Sequence, residues 1–282
     1  MTDIPTSDAA SNGAAAGATA PHTHPYTLAF DVGGTGLKAN VLDADGDFMG
    51  ERAKVATTYP MTPELLVEKL AGLAKKLPES DRISCGFPGM VRRGRVLSAP
   101  HFVTKKGPGS KVDPDLVMQW AAFDLAGALT RAVGKPTRVA NDADVQGAAV
   151  VKGEGFEAVI TLGTGFGTAF FMDGRLMPHF EFAHLEFRKG QSFNDQIGEP
   201  TRKKIGDARW NTRMQKVIAY LDALTFFDHL YIGGGNAPRL NRRDLGDVLE
   251  RITVVDNSAG IQGGIRLWDA DHVAVHSETA KS

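Results

Sequence analysis

The sequence predicts an α/β protein of two lobes, each a mixed sheet flanked by helices, with a cleft between them. Three observations predict it. The chain has 282 residues and 42% hydrophobic content, enough for two packed cores of ordinary domain size. A strand, glycine turn, strand unit occurs twice, once after Tyr26 and again after Ala158. Amphipathic helical patterns and further short apolar runs follow each copy.

Residues 1–25 are rich in Ala, Ser, Thr, Gly and Pro without apolar periodicity and read as a disordered leader. Tyr26 to Val32 is an apolar, β-forming run that stops at Gly33-Gly34, and residues 37–42 repeat the pattern. Asp43 to Asp47 is turn chemistry leading to a third strand over Phe48 to Ala56. Thr62-Pro63-Glu64 opens a helix toward Leu77, with Leu65, Leu66, Leu70 and Leu73 on one side and Thr62 as its cap. Arg82 to Phe87 is a strand ending in Gly86-Phe87-Pro88-Gly89, and Val91 to Ser98 folds back through Arg93-Gly94. A second helical pattern covers 113–133, and Thr137 to Ala140 is a strand finishing on Asn141-Asp142.

The pattern then restarts. Ala158 to Leu162 and Thr168 to Met172 flank Gly163-Thr164-Gly165-Phe166-Gly167. Met214 to Phe227 is a long helix whose apolar stripe is core, His229 to Ile232 a strand, and Gly233-Gly234-Gly235 a third glycine turn. A last helix lies within Ala259 to Trp268. The lobes are therefore expected at 26–140 and 141–258, with 259–282 a helix returning to the first lobe and a flexible tail.

Bulk chemistry narrows the function. Lys plus Arg total 32 against 33 Asp plus Glu, so no overall field draws the chain to nucleic acid or membrane. The single cysteine, Cys85, excludes an internal disulfide and a polythiolate zinc site. The absence of 18 consecutive apolar residues and of a secretory n- and h-region predicts a soluble, cytoplasmic protein.

Two glycine turns carry the first chemistry. In Asp31-Val32-Gly33-Gly34-Thr35-Gly36-Leu37-Lys38 an acidic strand end precedes uncovered backbone amides that can face a phosphate. It lacks the Gly-Lys-Ser/Thr ending of a Walker loop. Asp31 would reach Mg²⁺ through water, and Thr35 and Lys38 could hold donor phosphates. Gly163, Thr164, Gly165 and Gly167 supply the second set, and two such turns can clamp one phosphate chain. A plain hairpin turn is the alternative for each alone.

With Gly86-Phe87-Pro88-Gly89-Met90-Val91, Asn141-Asp142-Ala143-Asp144 and Glu181-Phe182-Ala183-His184-Leu185-Glu186, these turns make the chain resemble the ROK sugar kinases. That family belongs to the actin-like ATPase superfamily, with a ribonuclease H-like fold, and the chain is similar to its polyphosphate glucokinase branch. The resemblance spans Thr27 to Gly264. It implies Asp142 as general base, with Asn141, Glu181, His184 and Glu186 on the sugar and Gly89 in the loop beneath it. It places Asp31, Gly33, Gly34, Thr35, Gly36, Lys38, Gly163, Thr164, Gly165 and Gly167 at the donor phosphates, and Gly234 and Gly235 near the nucleoside of ATP-using members. The implied reaction moves a phosphoryl group from polyphosphate or ATP, with Mg²⁺, to the 6-hydroxyl of a hexose such as glucose, in a homodimer. Ala183 stands where Gly is usual. Phe187-Arg188-Lys189-Gly190 replaces the family's Cys-rich zinc motif, so no structural zinc is expected.

Competing readings stay open at this level. Asn141 or Asp142 could merely cap a helix starting near Ala143, and Asp144 is assigned to structure. Glu181, His184 and Glu186 could form a surface run, or His184 a metal site. Lys105, Lys106 and Lys111, or Arg202, Lys203 and Lys204, could guide polyphosphate or be a solvated basic face. A kinase of another small molecule and a non-catalytic sugar-binding protein are the rival functions. A sugar-sensing repressor would need a helix-turn-helix, for which the leader is too short and polar.

Overall fold

The computed structural model describes residues 25–255 and 259–269. The expected leader, apart from its last residue, and the expected tail lie outside the described residues.

The first sheet is built from β1 (Thr27–Val32), β2 (Gly36–Leu42), β3 (Ala53–Ala56), β4 (Arg82–Phe87) and β8 (Thr137–Asn141), in the order β3-β2-β1-β4-β8. Between β4 and β8 lie the short strands β5 (Val91–Arg92), β6 (Arg95–Val96) and β7 (Phe123–Asp124). The second sheet is β9 (Phe156–Leu162), β10 (Phe166–Met172), β11 (Arg175–Leu176), β14 (His229–Gly233) and β15 (Ile252–Val254), in the order β11-β10-β9-β14-β15. A two-stranded ribbon, β12 (Glu186–Arg188) and β13 (Gln191–Ser192), stands apart from it. The two large sheets share one plan. β1 pairs antiparallel with β2 and parallel with β4, and β9 does the same with β10 and β14.

Local chemistry explains most helix boundaries. In α1 (Pro63–Ala74) the Thr62 side chain accepts from Leu65 N at 3.2 Å, Pro63 occupies the first turn, and Leu66, Leu70 and Leu73 are buried. These leucines join Phe30, Phe87, Phe102 and Trp120 in the first core, where the Trp120 indole donates to Met61 O at 3.0 Å. Burying each such side chain contributes roughly 1.5–3 kcal/mol. The second core gathers Ile160, Phe170, Leu230 and Ile232 against Trp210, Met214, Val217 and Leu221 of α7 (Asp207–Thr225). Two short helices, α5 (Phe193–Ile197) and α6 (Glu199–Ile205), lead into α7.

Several boundaries differ from the sequence reading, among them β9 and β10, which begin two residues earlier at Phe156 and Phe166. The helical pattern of 113–133 is two helices, α2 (Pro114–Trp120) and α3 (Leu125–Val133). Ala122 turns left-handed at φ 55°, Phe123 pairs with Val96, and the Asp124 side chain caps α3 by accepting from Gly127 N. The third strand is only Ala53–Ala56: Phe48 keeps an isolated bridge to Leu42, and Gly50 O is taken by the Asn40 side chain, so residues 49–52 leave the ladder. α7 begins at Asp207 rather than Met214, its polar first turn carrying the buried Trp210. The last helix is one turn, α8 (Ala259–Gln262), continued by a 3₁₀ segment, Gly263–Trp268.

The two sheets meet at α4 (Asp142–Ala148). Ala143 and Ala148 pack on Val159, Ala169 and Phe171 of the second sheet, while Val145 packs with Ala140 and Leu267. The C-terminal segment approaches so closely that a Cβ on Gly263 would lie 1.8 Å from Val145 O. Ile261 packs with Ala29 and Leu42, and the Trp268 indole donates to Ser84 Oγ at 2.9 Å, so this segment lies against the first sheet.

Candidate active site

β1, β4 and β8 are parallel, and their carboxyl ends line up: Asp31 is in register with Gly86, and Gly86 with Ala140. Such strand ends are where open α/β sheets bind ligands. Asp142 follows directly as the first residue of α4. Asn141 organises the junction by accepting from Ala143 N at 2.7 Å and donating to Gly89 O at 3.0 Å. It therefore both caps the helix and ties down the Gly86–Gly89 loop, while Asp142 Oδ1 also accepts from Ala143 N at 3.0 Å.

Asp142 is exposed, yet protein atoms crowd around it. Its Cα lies against Gly86 of β4, so the carboxyl stands at the carboxyl end of the first sheet. Lost hydration, and then the negative field of Asp31, push its carboxyl up to about 7. The Ala143 N–H opposes this rise, and Glu181 and Asp144 add to it. A carboxyl group poised near neutrality and open to solvent matches a general base.

Both glycine turns lie near this residue: Asp31, just before the first, acts on its charge, and Gly167, at the end of the second, lies against Ala143. In the first, Gly33 N donates to Gly36 O at 3.0 Å, Thr57 Oγ1 to Gly33 O at 2.7 Å and the Tyr59 hydroxyl to Gly34 O at 2.6 Å. Thr35 is exposed at the tip, and Gly34 rests over the half-buried His101 ring. Lys38 is paired with Asp31 at 2.8 Å, the two being cross-strand partners. In the second turn, Gly163 O accepts from Glu199 N at 3.0 Å and from Asn236 Nδ2 at 3.1 Å, and Asn194 Oδ1 accepts from Phe166 N. A Cβ on Gly163 would meet nothing within 4 Å, whereas one on Gly165 would lie 2.3 Å from Asn194 Oδ1. Gly165 is thus required by Asn194, and Gly163 faces open space. Gly167 lies against α4, with Ala143 Cβ 3.2 Å from its own Cβ direction, and Thr164 is exposed. Gly234, at φ 92°, packs on the backbone of Leu162, and Gly235 is exposed beside it.

The sugar-side candidates divide. Glu181 lies near enough for its charge to raise Asp142. His184 and Glu186 are exposed; His184 acts on Asp195 of α5, and Glu186 accepts from Gly190 N at 2.9 Å to close the β12–β13 hairpin. Ala183 is buried, its methyl packed in the second core. The histidine that reasoning from sequence missed is His179. Its Nδ1 lies 2.8 Å from Asp144 Oδ1 and its Nε2 3.6 Å from Glu181 Oε2, with only 4% of its side chain exposed. Burial works against its charge, but Asp144 and then Glu181 outweigh it and raise the imidazole to about 10. No local motif marks His179; its alternation with Glu181 along an extended segment was the available signal.

Much of the basic charge in the two candidate runs is locally neutralised: Lys105 pairs with Asp113, Arg202 with Asp207 and Lys203 with Glu199. Among the described residues no group of three or more His, Cys, Asp or Glu side chains could hold a metal ion, and no helix is long and apolar enough to cross a membrane.

Two sheets of the same strand order, meeting at a carboxylate between glycine turns, define the actin-like ATPase class of α/β fold. A model of the ROK family matches residues 27–180, more than half of the chain, and the chain belongs to the ROK family. A polyphosphate glucokinase of Mycobacterium tuberculosis is 29% identical over 257 residues, covering 86% of this chain and 91% of that protein. The inorganic polyphosphate/ATP-glucomannokinase of Arthrobacter sp. strain KM superposes with a TM-score of 0.69 at 29% identity, over 86% of this chain and 97% of that one. A ROK family glucokinase of Streptomyces griseus, solved with glucose and AMPPNP, shares the fold at a TM-score of 0.65 and 19% identity, over 86% and 98% of the two chains.

Proposed function

We propose that this chain transfers a phosphoryl group from polyphosphate or ATP to the 6-hydroxyl of glucose, with Asp142 as the general base. What supports the reading is the solvent-open Asp142 carboxyl at the carboxyl ends of β1, β4 and β8, pushed up to about 7 by lost hydration and by Asp31. The polyphosphate glucokinase and glucomannokinase relatives support the donor and acceptor classes.

Phosphoryl transfer depends mainly on alignment and charge neutralisation. The Gly33, Gly163 and Phe166 N–H groups are engaged within the turns, so it is the tips, Gly34-Thr35 and Thr164-Gly165, that present amides to the donor, and Gly163 leaves the space a phosphate needs. Asp142 accepts the proton of the attacking hydroxyl, and Asn141 holds the Gly89 loop beneath the sugar. Glu181, steadied by His179, accepts from a sugar hydroxyl. His184 and Glu186 face solvent and complete the sugar contacts when the two lobes, 26–140 and 141–258, close on substrate. Asp31, whose charge is shared with Lys38 and still raises Asp142, would hold a divalent cation through water, and Mg²⁺ needs few protein ligands. Mg²⁺ held through water at Asp31 would neutralise charge on the donor phosphates.

Purified protein is to be assayed with Mg²⁺, a panel of hexoses and either ATP or polyphosphate. Hexose 6-phosphate formed from glucose and lost in Asp142→Asn supports the reading. Sugar binding without turnover, or transfer only to a non-sugar acceptor, overturns it.

A further inference from the structure

Outside the cleft, β12 and α7 enclose a groove of about 380 Å³. Arg188 lines it from β12, and Arg209, Arg213 and Lys216 from α7, with Phe187 and Tyr220 among its walls. Arg209, Arg213 and Lys216 are four and three residues apart, so they share one face of the helix. Like charges at that spacing destabilise a helix unless something neutralises them. Among the described residues no carboxylate does so: Asp207 is engaged by Arg202 and Glu199 by Lys203. Arg213 donates to Gln196 O at 2.9 Å, and lost hydration followed by the charge of Arg188 lowers its pKa. Two guanidinium groups are thus held close enough to repel, with an open trough before them.

The groove is connected to the donor turn by one short element. α5 carries Asn194, which bonds Phe166 N beside Gly165, and Gln196, whose carbonyl receives Arg213. Five residues of helix span about 8 Å, so the groove lies one helix away from the second glycine turn. Cations without a carboxylate partner among the described residues, a trough shape and this proximity together select a linear polyanion over a single small anion.

We propose that this groove is a second anion site that holds the distal phosphates of a long inorganic polyphosphate while its reacting end lies at the glycine turns. The proposal rests on the reading of polyphosphate as a donor. A long chain has phosphates to spare for the groove, whereas the three phosphates of ATP or tripolyphosphate are taken up at the turns.

The test is the double variant Arg209→Gln, Lys216→Gln, whose positions are exposed on α7 and leave the buried Trp210 and Met214 untouched. Binding of long-chain polyphosphate is measured directly at several salt concentrations, alongside KM for long polyphosphate, tripolyphosphate and ATP. The expected result is a rise of about 5- to 30-fold in the Kd and KM of the long chain, as removal of two exposed cations from the phosphate track predicts. The slope of log Kd on log salt should fall by roughly 0.7 for each phosphate that is no longer neutralised. KM for tripolyphosphate and ATP should stay as in the parent. An unchanged long-chain Kd, or equal weakening with tripolyphosphate and ATP, overturns the groove assignment. So does equal displacement of the long chain by single-stranded RNA of matched charge. A parent protein that uses ATP but no polyphosphate overturns the donor reading itself. A parent that uses long polyphosphate, beside a variant indistinguishable from it, overturns the groove alone.

Discussion

The proposed base, Asp142, is held at about 7, which makes the rate sensitive to pH where an ordinary aspartate would not be. At pH 6 a carboxyl of that pKa is ionised to about 9%, whereas one at the usual value near 4 is ionised to about 99%. The pH profile of kcat/KM for glucose should therefore fall about tenfold per unit below pH 7, and the limb reports the free enzyme. The second-largest cause of the rise is the field of Asp31, so Asp31→Asn should move the limb to lower pH even where the variant is slow. Because the side chain is open to solvent, added salt should move it the same way by screening that field. The linkage has a definite sign. A carboxyl whose folded pKa exceeds its unfolded one stabilises the fold most at low pH, and this contribution is lost as pH rises through about 7. Asp142→Asn, locked in the neutral form, should gain Tm over the parent at pH 8, and the gap should close toward pH 4. Its turnover should drop about 10²- to 10⁴-fold while sugar binding persists. A flat profile between pH 5 and pH 8 in the parent, or full turnover in Asp142→Asn, would refute the assignment of the base.

Other outcomes test the surroundings. His179→Gln breaks a buried ion pair with Asp144 and should cost about 3–5 kcal/mol in denaturant unfolding. It should also raise KM for glucose more than it lowers kcat, since Glu181 loses its support; equal effects on both would make His179 purely structural. Gly163→Ala places a methyl in open space where a phosphate belongs, so KM for the donor should rise with Tm unchanged. Gly165→Val drives its side chain into Asn194 and should lower Tm as well, which separates local packing from donor contact. Gly263→Ala should destabilise by about 1–3 kcal/mol through collision with Val145 O, with little change in KM if the shape of the cleft survives.

Local signals were legible wherever a residue's own preference decides its conformation. Thr62 capping α1, the apolar run of β4 and the Arg93-Gly94 turn belong to this group, because caps, strand periodicity and turn residues act over a few neighbours. The break at Ala122 was not legible. It depends on Phe123 pairing with Val96, a contact between segments 27 residues apart in which the sheet overrides helical preference.

By itself the sequence determined the repeated plan of strand, glycine turn and strand, and it singled out Asp31 and both turns, because each rests on chain-local chemistry; Asp142 was marked by the family resemblance. Only the tertiary structure decided what those residues touch. It paired Lys38 with Asp31, put Asn194 rather than open space behind Gly165, and drew His179 between Asp144 and Glu181. It also gathered Arg188 with three cations of α7 around one groove. Electrostatic and steric neighbours are set by distance in space, and that distance exists only once the two sheets have closed on α4.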